Sequence, residues 1–173
     1  MALARELARR DGRTLAVDCD PNPNLAESFG VDAGLIAPWT FEGLRRVPGT
    51  LELAAEPPLV EVEPGRLWVL GGAPGSTPLN DAVARGIAGV LLADGFDWVV
   101  TDLGAGPEFT RMAVGGVLNP AELCVVLSDG RPAAELAADR IEAACRARGV
   151  RTRRVVGKDG PESAAADIVG LLS

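Results

Sequence analysis

Four apolar runs of strand length, set among stretches of helical periodicity, restrict this chain to few architectures. They are "RTLAVD" at 13–18, "RLWVLGG" at 66–72, "FDWVVTDLGAG" at 96–106 and "AELCVVLSD" at 121–129, with a short fifth strand in "RTRRVVGK" at 151–158. A strand apolar on both sides must be covered on both faces, and strands that alternate with helices run parallel. The intervening segments supply the cover. "MALARELARR" carries Leu3, Ala4, Leu7 and Ala8 at helical spacing and stops at Asp-Gly. "PLNDAVARGIAGVLLAD" places Leu79, Val83, Ile87, Val90 and Leu91 on one helical stripe. Further helices are predicted over about 133–148 and over 162–173. The fold class is therefore α/β, a doubly wound parallel sheet. Residues 31–65, rich in Pro and Gly, break the alternation and read as a mixture of short helix and loop with no function attached. At 173 residues the chain is one domain, long enough to bury roughly 70% of its unfolded surface.

Charge and composition exclude several classes. A net charge of −7 and a pI near 4.7 leave no broad basic face for nucleic acid. The single basic cluster, "RARGVRTRR" at 146–154, falls on a helix end and the strand after it, where cations sit well against the helix dipole. There is no histidine, which removes Ser-His-Asp and Cys-His catalysis and His-ligated zinc. Cys19, Cys124 and Cys145 are scattered without a CxxC, the usage of reduced thiols in a cytoplasm and of small core residues. No run is long enough to span a bilayer. The first residues read as an amphipathic helix rather than a leader, and "DIVGLLS" lacks the basic face of an interfacial helix, so no membrane partner is expected.

Open parallel sheets bind ligands beyond the carboxyl ends of their strands, so the residues just after each strand carry the functional reading. The first strand runs into Asp18, Cys19 and Asp20, followed by the turn-formers "PNPN". The third runs into Asp102, Leu103, Gly104, Ala105 and Gly106. A carboxylate closing an apolar strand can hold magnesium, usually through water. A glycine directly after it lets a backbone N–H approach a phosphate with no side chain between them. Either stretch alone also fits an ordinary strand-to-loop turn. Both on one edge of one sheet form the pattern of a magnesium-nucleotide site.

"VDCDPNPNLAESFG" resembles the first switch segment of P-loop ATPases of the MinD/ParA and nitrogenase-iron-protein type, and "VVTDLGAGPEFTR" resembles their Walker B strand and second switch. With "AELCVVLSDGRPAAELAADRIEAACRARGV" after it, the wording is most similar to the ATPases that mature nickel carbon-monoxide dehydrogenase. The similarity covers residues 1 to about 158. It implies ATP and Mg2+ as cofactors, and slow hydrolysis coupled to homodimerisation and to maturation of a client metalloenzyme. By the same resemblance Asp20 acts on magnesium-bound or attacking water and is a metal residue together with Asp102, the Walker B aspartate. Asn24 matches a polar residue near the phosphate. Gly104 and Gly106 belong to the nucleotide-binding turn, with the Gly106 amide sensing the γ-phosphate.

The departures are equally specific. The family's Gly-rich loop ending in Gly-Lys-Ser/Thr occurs nowhere in the chain, which opens inside the family's first helix. "GGAPGSTP" at 71–78 lies between a strand and a helix but has no lysine, and a turn with a Ser76 or Thr77 cap explains it. The C-x-C pair of the carbon-monoxide-dehydrogenase branch is absent there, and Gly157 stands where the base-recognition segment has Asn before Lys158. Loss of the phosphate-loop strand would leave two neighbouring strands with open ladder edges. Two accounts stand. In one, Met1 is an internal methionine of a complete ATPase. In the other, the chain is a non-hydrolysing relative that docks a protein partner.

Overall fold

The computed structural model describes residues 1–10, 12–72, 79–104, 120–156 and 161–172, with backbone alone for Ala33 and residues 161–163. Its centre is β1 (Thr14–Asp18), buried at all five positions. β1 pairs in parallel with β5 (Leu67–Leu70) on one side and β6 (Trp98–Asp102) on the other, so that Ala16 faces both Val69 and Val100. β4 (Val60–Glu63) adds an antiparallel edge to β5, giving the order β4-β5-β1-β6.

The two faces of β1 build two cores, as its uninterrupted apolar sequence requires. On one side Ala16, Leu67 and Val69 pack with Ala4 and Ala8 of α1 (Ala2–Arg9), and with Phe29 and Ile36. On the other, Leu15, Val17 and Leu70 pack with Ala84 and Ala88 of α3 (Leu79–Leu91). The mixed α/β architecture with a parallel core is the one the sequence predicts.

Which face of α3 is buried differs from the expectation. Leu79, Val83, Ile87 and Leu91 are only half-buried, and Val90 is exposed. The deeply buried positions are Ala82, Ala84, Arg85, Gly86, Ala88 and Gly89. The helix lies so close to β1 that a Cβ on Gly89 would stand 2.8 Å from Val17 Cγ2. Small residues make that approach possible, and the larger apolar side chains flank the contact.

Residues 31–65 are also more ordered than loop and short helix. Two 3₁₀ turns, Ala33–Leu35 and Phe41–Gly43, do occur. They are followed by an antiparallel hairpin of β2 (Leu44–Val47) and β3 (Thr50–Leu53), and then by β4. These strands are four residues long and half-exposed, so their apolar content is too low for the two-sided pattern to reveal them.

β7 (Leu123–Ser128) and β8 (Arg151–Val156) form a separate parallel pair, with α4 (Pro132–Arg146) packed on them. Arg154 lies on the α4 side and bonds three carboxylates of that helix, Glu135 (2.7 Å), Asp139 (2.6 Å) and Glu142 (2.9 Å). It is therefore a structural cation rather than part of a solvated basic cluster. Among the described residues β6 pairs with β1 alone and β7 with β8 alone. Leu103, just after β6, bridges the gap by packing both on the α3-side core and on the Cys145 and Val150 cluster. α5 (Pro161–Gly170) follows β8 and packs on α1. Among the described residues no helix is long and apolar enough to cross a membrane.

Candidate functional site at the carboxyl ends of β1 and β6

Because β1 and β6 are adjacent, parallel and in register, Asp18 stands directly opposite Asp102. Their strands stay joined one residue further, where the Cys19 amide donates to the Asp102 carbonyl at 2.7 Å. The polar exits of the two strands therefore meet at one edge.

Asp18 and Asp20 have different roles there. Asp18 is 1% exposed, and both its oxygens are used: Oδ1 accepts from the Asp20 amide at 3.1 Å and Oδ2 from the Leu25 amide at 3.0 Å. Burial pushes its carboxyl above the usual carboxylate range, with the Asp102 charge adding to that; the two amides and the Arg85 charge oppose it. Asp18 thus folds the 19–25 loop back on itself and opens α2 (Leu25–Ser28). Asp20 is half-exposed; its Oδ1 accepts from the Asn22 amide at 2.8 Å, and its Oδ2 accepts nothing among the described residues.

Asp102 is exposed, and its Oδ1 accepts from the Gly104 amide at 3.3 Å. Gly104 has φ +65°, and a Cβ there would lie 2.7 Å from Asp20 Oδ2. The Asp20 carboxylate therefore rests on the Gly104 backbone, in space that any side chain would take. Asp20, Asp102 and Gly104 are brought together. Asn24 is not: it is exposed at the start of α2, its side chain neither caps the helix nor hydrogen-bonds to those three, and it lines a small recess with Asp18, Glu27 and Gly72. Gly106 lies outside the described residues, as do Ser76, Thr77, Gly157 and Lys158.

Beneath the 18–20 loop, Arg85 of α3 is 1% exposed. Its Nε donates to the Asp18 carbonyl and its Nη2 to the Asp20 carbonyl at 3.2 Å. The sequence gives no direct sign of Arg85, because a lone arginine on an amphipathic helix ordinarily faces water. The signal available was its setting, Ala82, Ala84, Gly86, Ala88 and Gly89, a run too small to shield a solvent-facing cation.

The donor set suits a hard cation. Asp20 Oδ2 and Asp102 Oδ2 are oxygen donors with free lone pairs. Among the described residues no cluster of three or more candidate ligands exists. Two carboxylates with water and phosphate completing the shell is how magnesium is commonly held, and softer metals have no thiolate or imidazole here. Cys19 is fully buried in the α3-side core, and burial drives its thiol well above the ordinary range.

No protein-family model and no curated protein sequence matches the chain. Solved structures do. Cobyrinic acid a,c-diamide synthase from Mycobacterium smegmatis with bound ADP and magnesium superposes with a TM-score of 0.58 at 16% identity, covering 99% of this chain and 74% of that one. The MinD cell division protein of Aquifex aeolicus gives 0.58 at 19% identity, over 99% and 70%. A plasmid partition protein from Borrelia burgdorferi gives 0.57 at 12% identity, over 98% and 76%. The parallel core, the meeting of two strand-end aspartates and these neighbours agree: the chain has the fold of the MinD- and ParA-type P-loop ATPases.

Proposed function

We propose that this edge of the sheet is the magnesium and switch half of an ATP site, serving slow hydrolysis coupled to homodimerisation. The observation that carries the reading is the convergence of Asp20 and Asp102 on Gly104 at the ends of adjacent parallel strands. Magnesium held by Asp20 and Asp102 would supply charge neutralisation for the phosphates. Asp20 would face the metal through water and act on that magnesium-bound or attacking water. Gly104 would keep the approach to the phosphate free of side chains, while Asp18 holds the loop that carries Asp20. Asn24 and Gly106 belong to the reading by resemblance alone. So does the client, a metalloenzyme under maturation, which the "DLGAGPEFTR" wording suggests.

The 173 residues contain no Gly-Lys-Ser/Thr loop, so the phosphate-cradling half of the site is not among them. The test is therefore made on the protein as expressed from its own gene with its native start. Equilibrium binding of ATP is measured with and without Mg2+, for wild type, Asp20→Asn and Asp102→Asn. The expected result is magnesium-dependent binding weakened at least about tenfold by Asp102→Asn, the loss of one charge-assisted metal contact. An absence of magnesium-dependent binding would overturn the ATPase reading in favour of a protein-docking module built on the same fold.

A further inference from the structure

Arg85 is a buried charge with an unusual choice of partners. A guanidinium this deep in a helix-sheet contact gives up most of its hydration at a steep cost, and a leucine or methionine would fill the same space among alanines without that penalty. Its hydrogen bonds go to two backbone carbonyls, those of Asp18 and Asp20, across 67 and 65 residues of sequence. They do not go to the carboxylates: both Asp18 oxygens accept loop amides, and the Asp20 Oδ1 accepts the Asn22 amide.

The loop itself is otherwise held by local bonds. Asp18 to Asp20 and Leu25, and Asp20 to Asn22, are turns within seven residues. The Cys19 amide ties it to the Asp102 carbonyl of β6, and Arg85 reaches it from α3 through the Asp18 and Asp20 carbonyls. Gly72 completes the seat, since a Cβ there would lie 3.0 Å from Arg85 Nη2. A planar fork that bonds two carbonyls at once fixes both their separation and their orientation, which the single ammonium of a lysine does less well.

We propose that Arg85 is the positioning residue of the candidate site: by clamping the Asp18 and Asp20 carbonyls from α3, it sets where the Asp20 carboxylate stands relative to Asp102. The role that this position would serve rests on the magnesium-nucleotide reading above, but the clamp itself does not. Burial lowers the guanidinium's affinity for its proton while the surrounding Asp18, Asp81 and Asp20 charges raise it, so the cation and the loop carboxylates support one another.

The experiment compares Arg85→Met, Arg85→Lys and wild type by amide hydrogen exchange in the 173-residue protein. The clamp predicts exchange at the Asp20 and Asn22 amides faster by roughly tenfold or more in Arg85→Met, the scale of a local opening. The Ala16 and Val17 amides of β1 should change by less than about twofold, and Arg85→Lys should fall between. An unchanged loop, or a loop and strand that loosen together, would overturn the clamp. A second measurement adds Mn2+ alone and follows paramagnetic broadening of the Asp side-chain carboxyl carbons. Wild type should show Asp20 and Asp102 broadened together, and Arg85→Met should show Asp102 broadened more than Asp20. Equal broadening in both proteins would also overturn the proposal. If Mn2+ broadens neither residue in wild type, the magnesium reading fails, and the exchange result alone decides on Arg85.

Discussion

The Asp20 carboxylate lies on the backbone of Gly104, with Oδ2 only 2.7 Å from where a Cβ would be. The contact joins the exits of two strands that are 84 residues apart in sequence at their first ladder pair, Thr14 and Trp98. It also makes Gly104 the most informative single substitution in the site.

Gly104→Ala is expected to fold. Its positive φ costs a residue with a Cβ about 1–2 kcal/mol, while the atom it meets is the free end of a short side chain. Asp20 therefore gives way rather than the strand. The expected result is a modest fall in the urea midpoint together with loss of joint Mn2+ broadening at Asp20 and Asp102. A variant with wild-type broadening would show that Asp20 does not need the bare backbone.

The tight seat of α3 on β1 predicts coupling between Gly89 and Val17. Gly89→Ala adds a Cβ against Val17 Cγ2, and overpacking of about 1–3 kcal/mol outweighs a helix-propensity gain of about 1 kcal/mol. Val17→Ala alone opens a cavity in the core and costs roughly 2 kcal/mol. Combined, each relieves the other. A double-mutant cycle by denaturant unfolding should give a favourable coupling of about 0.5 kcal/mol or more, and strict additivity would contradict the packing described.

Arg154 holds Glu135, Asp139 and Glu142 on one face of α4. Arg154→Met leaves three carboxylates within two turns of one another, so Tm should fall. Much of the loss should return at about 0.5 M salt, where screening acts within a few ångströms. Scanning calorimetry at low and high salt separates this from a packing defect, which salt would leave in place.

Cys124 gives the alkaline limb of stability. Burial, then the neighbouring Cys145, pushes its thiol from an ordinary value of 9.0 up to about 12. Between those values the unfolded chain has released a proton that the folded chain still holds. Stability therefore falls as pH rises through that window. Cys19, also raised by burial, contributes with the same sign. Urea midpoints at pH 8, 9.5 and 11 should decline, and Cys124→Ala should flatten the decline in part.

What could be read from the sequence follows from how strongly each element's burial constrains its composition. β1 and β6 were legible because a strand covered on both faces admits almost nothing polar, so Asp18, Asp20 and Asp102 stand out where it ends. The β2–β3 hairpin was not, since Arg45 and Glu52 pair across it in solvent and its apolar residues are only half-covered. The face of α3 was misjudged for a related reason: periodicity locates large apolar residues, whereas the closest contact with a sheet is made by small ones. Arg85 fell in that blind spot. Asn24 was read from a motif alone; it stands exposed at the start of α2 beside a recess shared with Asp18 and Gly72.

The central position of β1 also sets an order of events during synthesis. Thr14 waits for Leu67 on one side and for Trp98 on the other. At about 5–20 residues per second, β1, buried at every position in the fold, leaves the ribosome several seconds before either ladder partner. Neither wall of its eventual pocket, α3 or β6, exists in that interval. A chain of this topology keeps β1 without its ladder partners through that interval, and the Asp18–Asp102 pairing forms only once β6 has emerged.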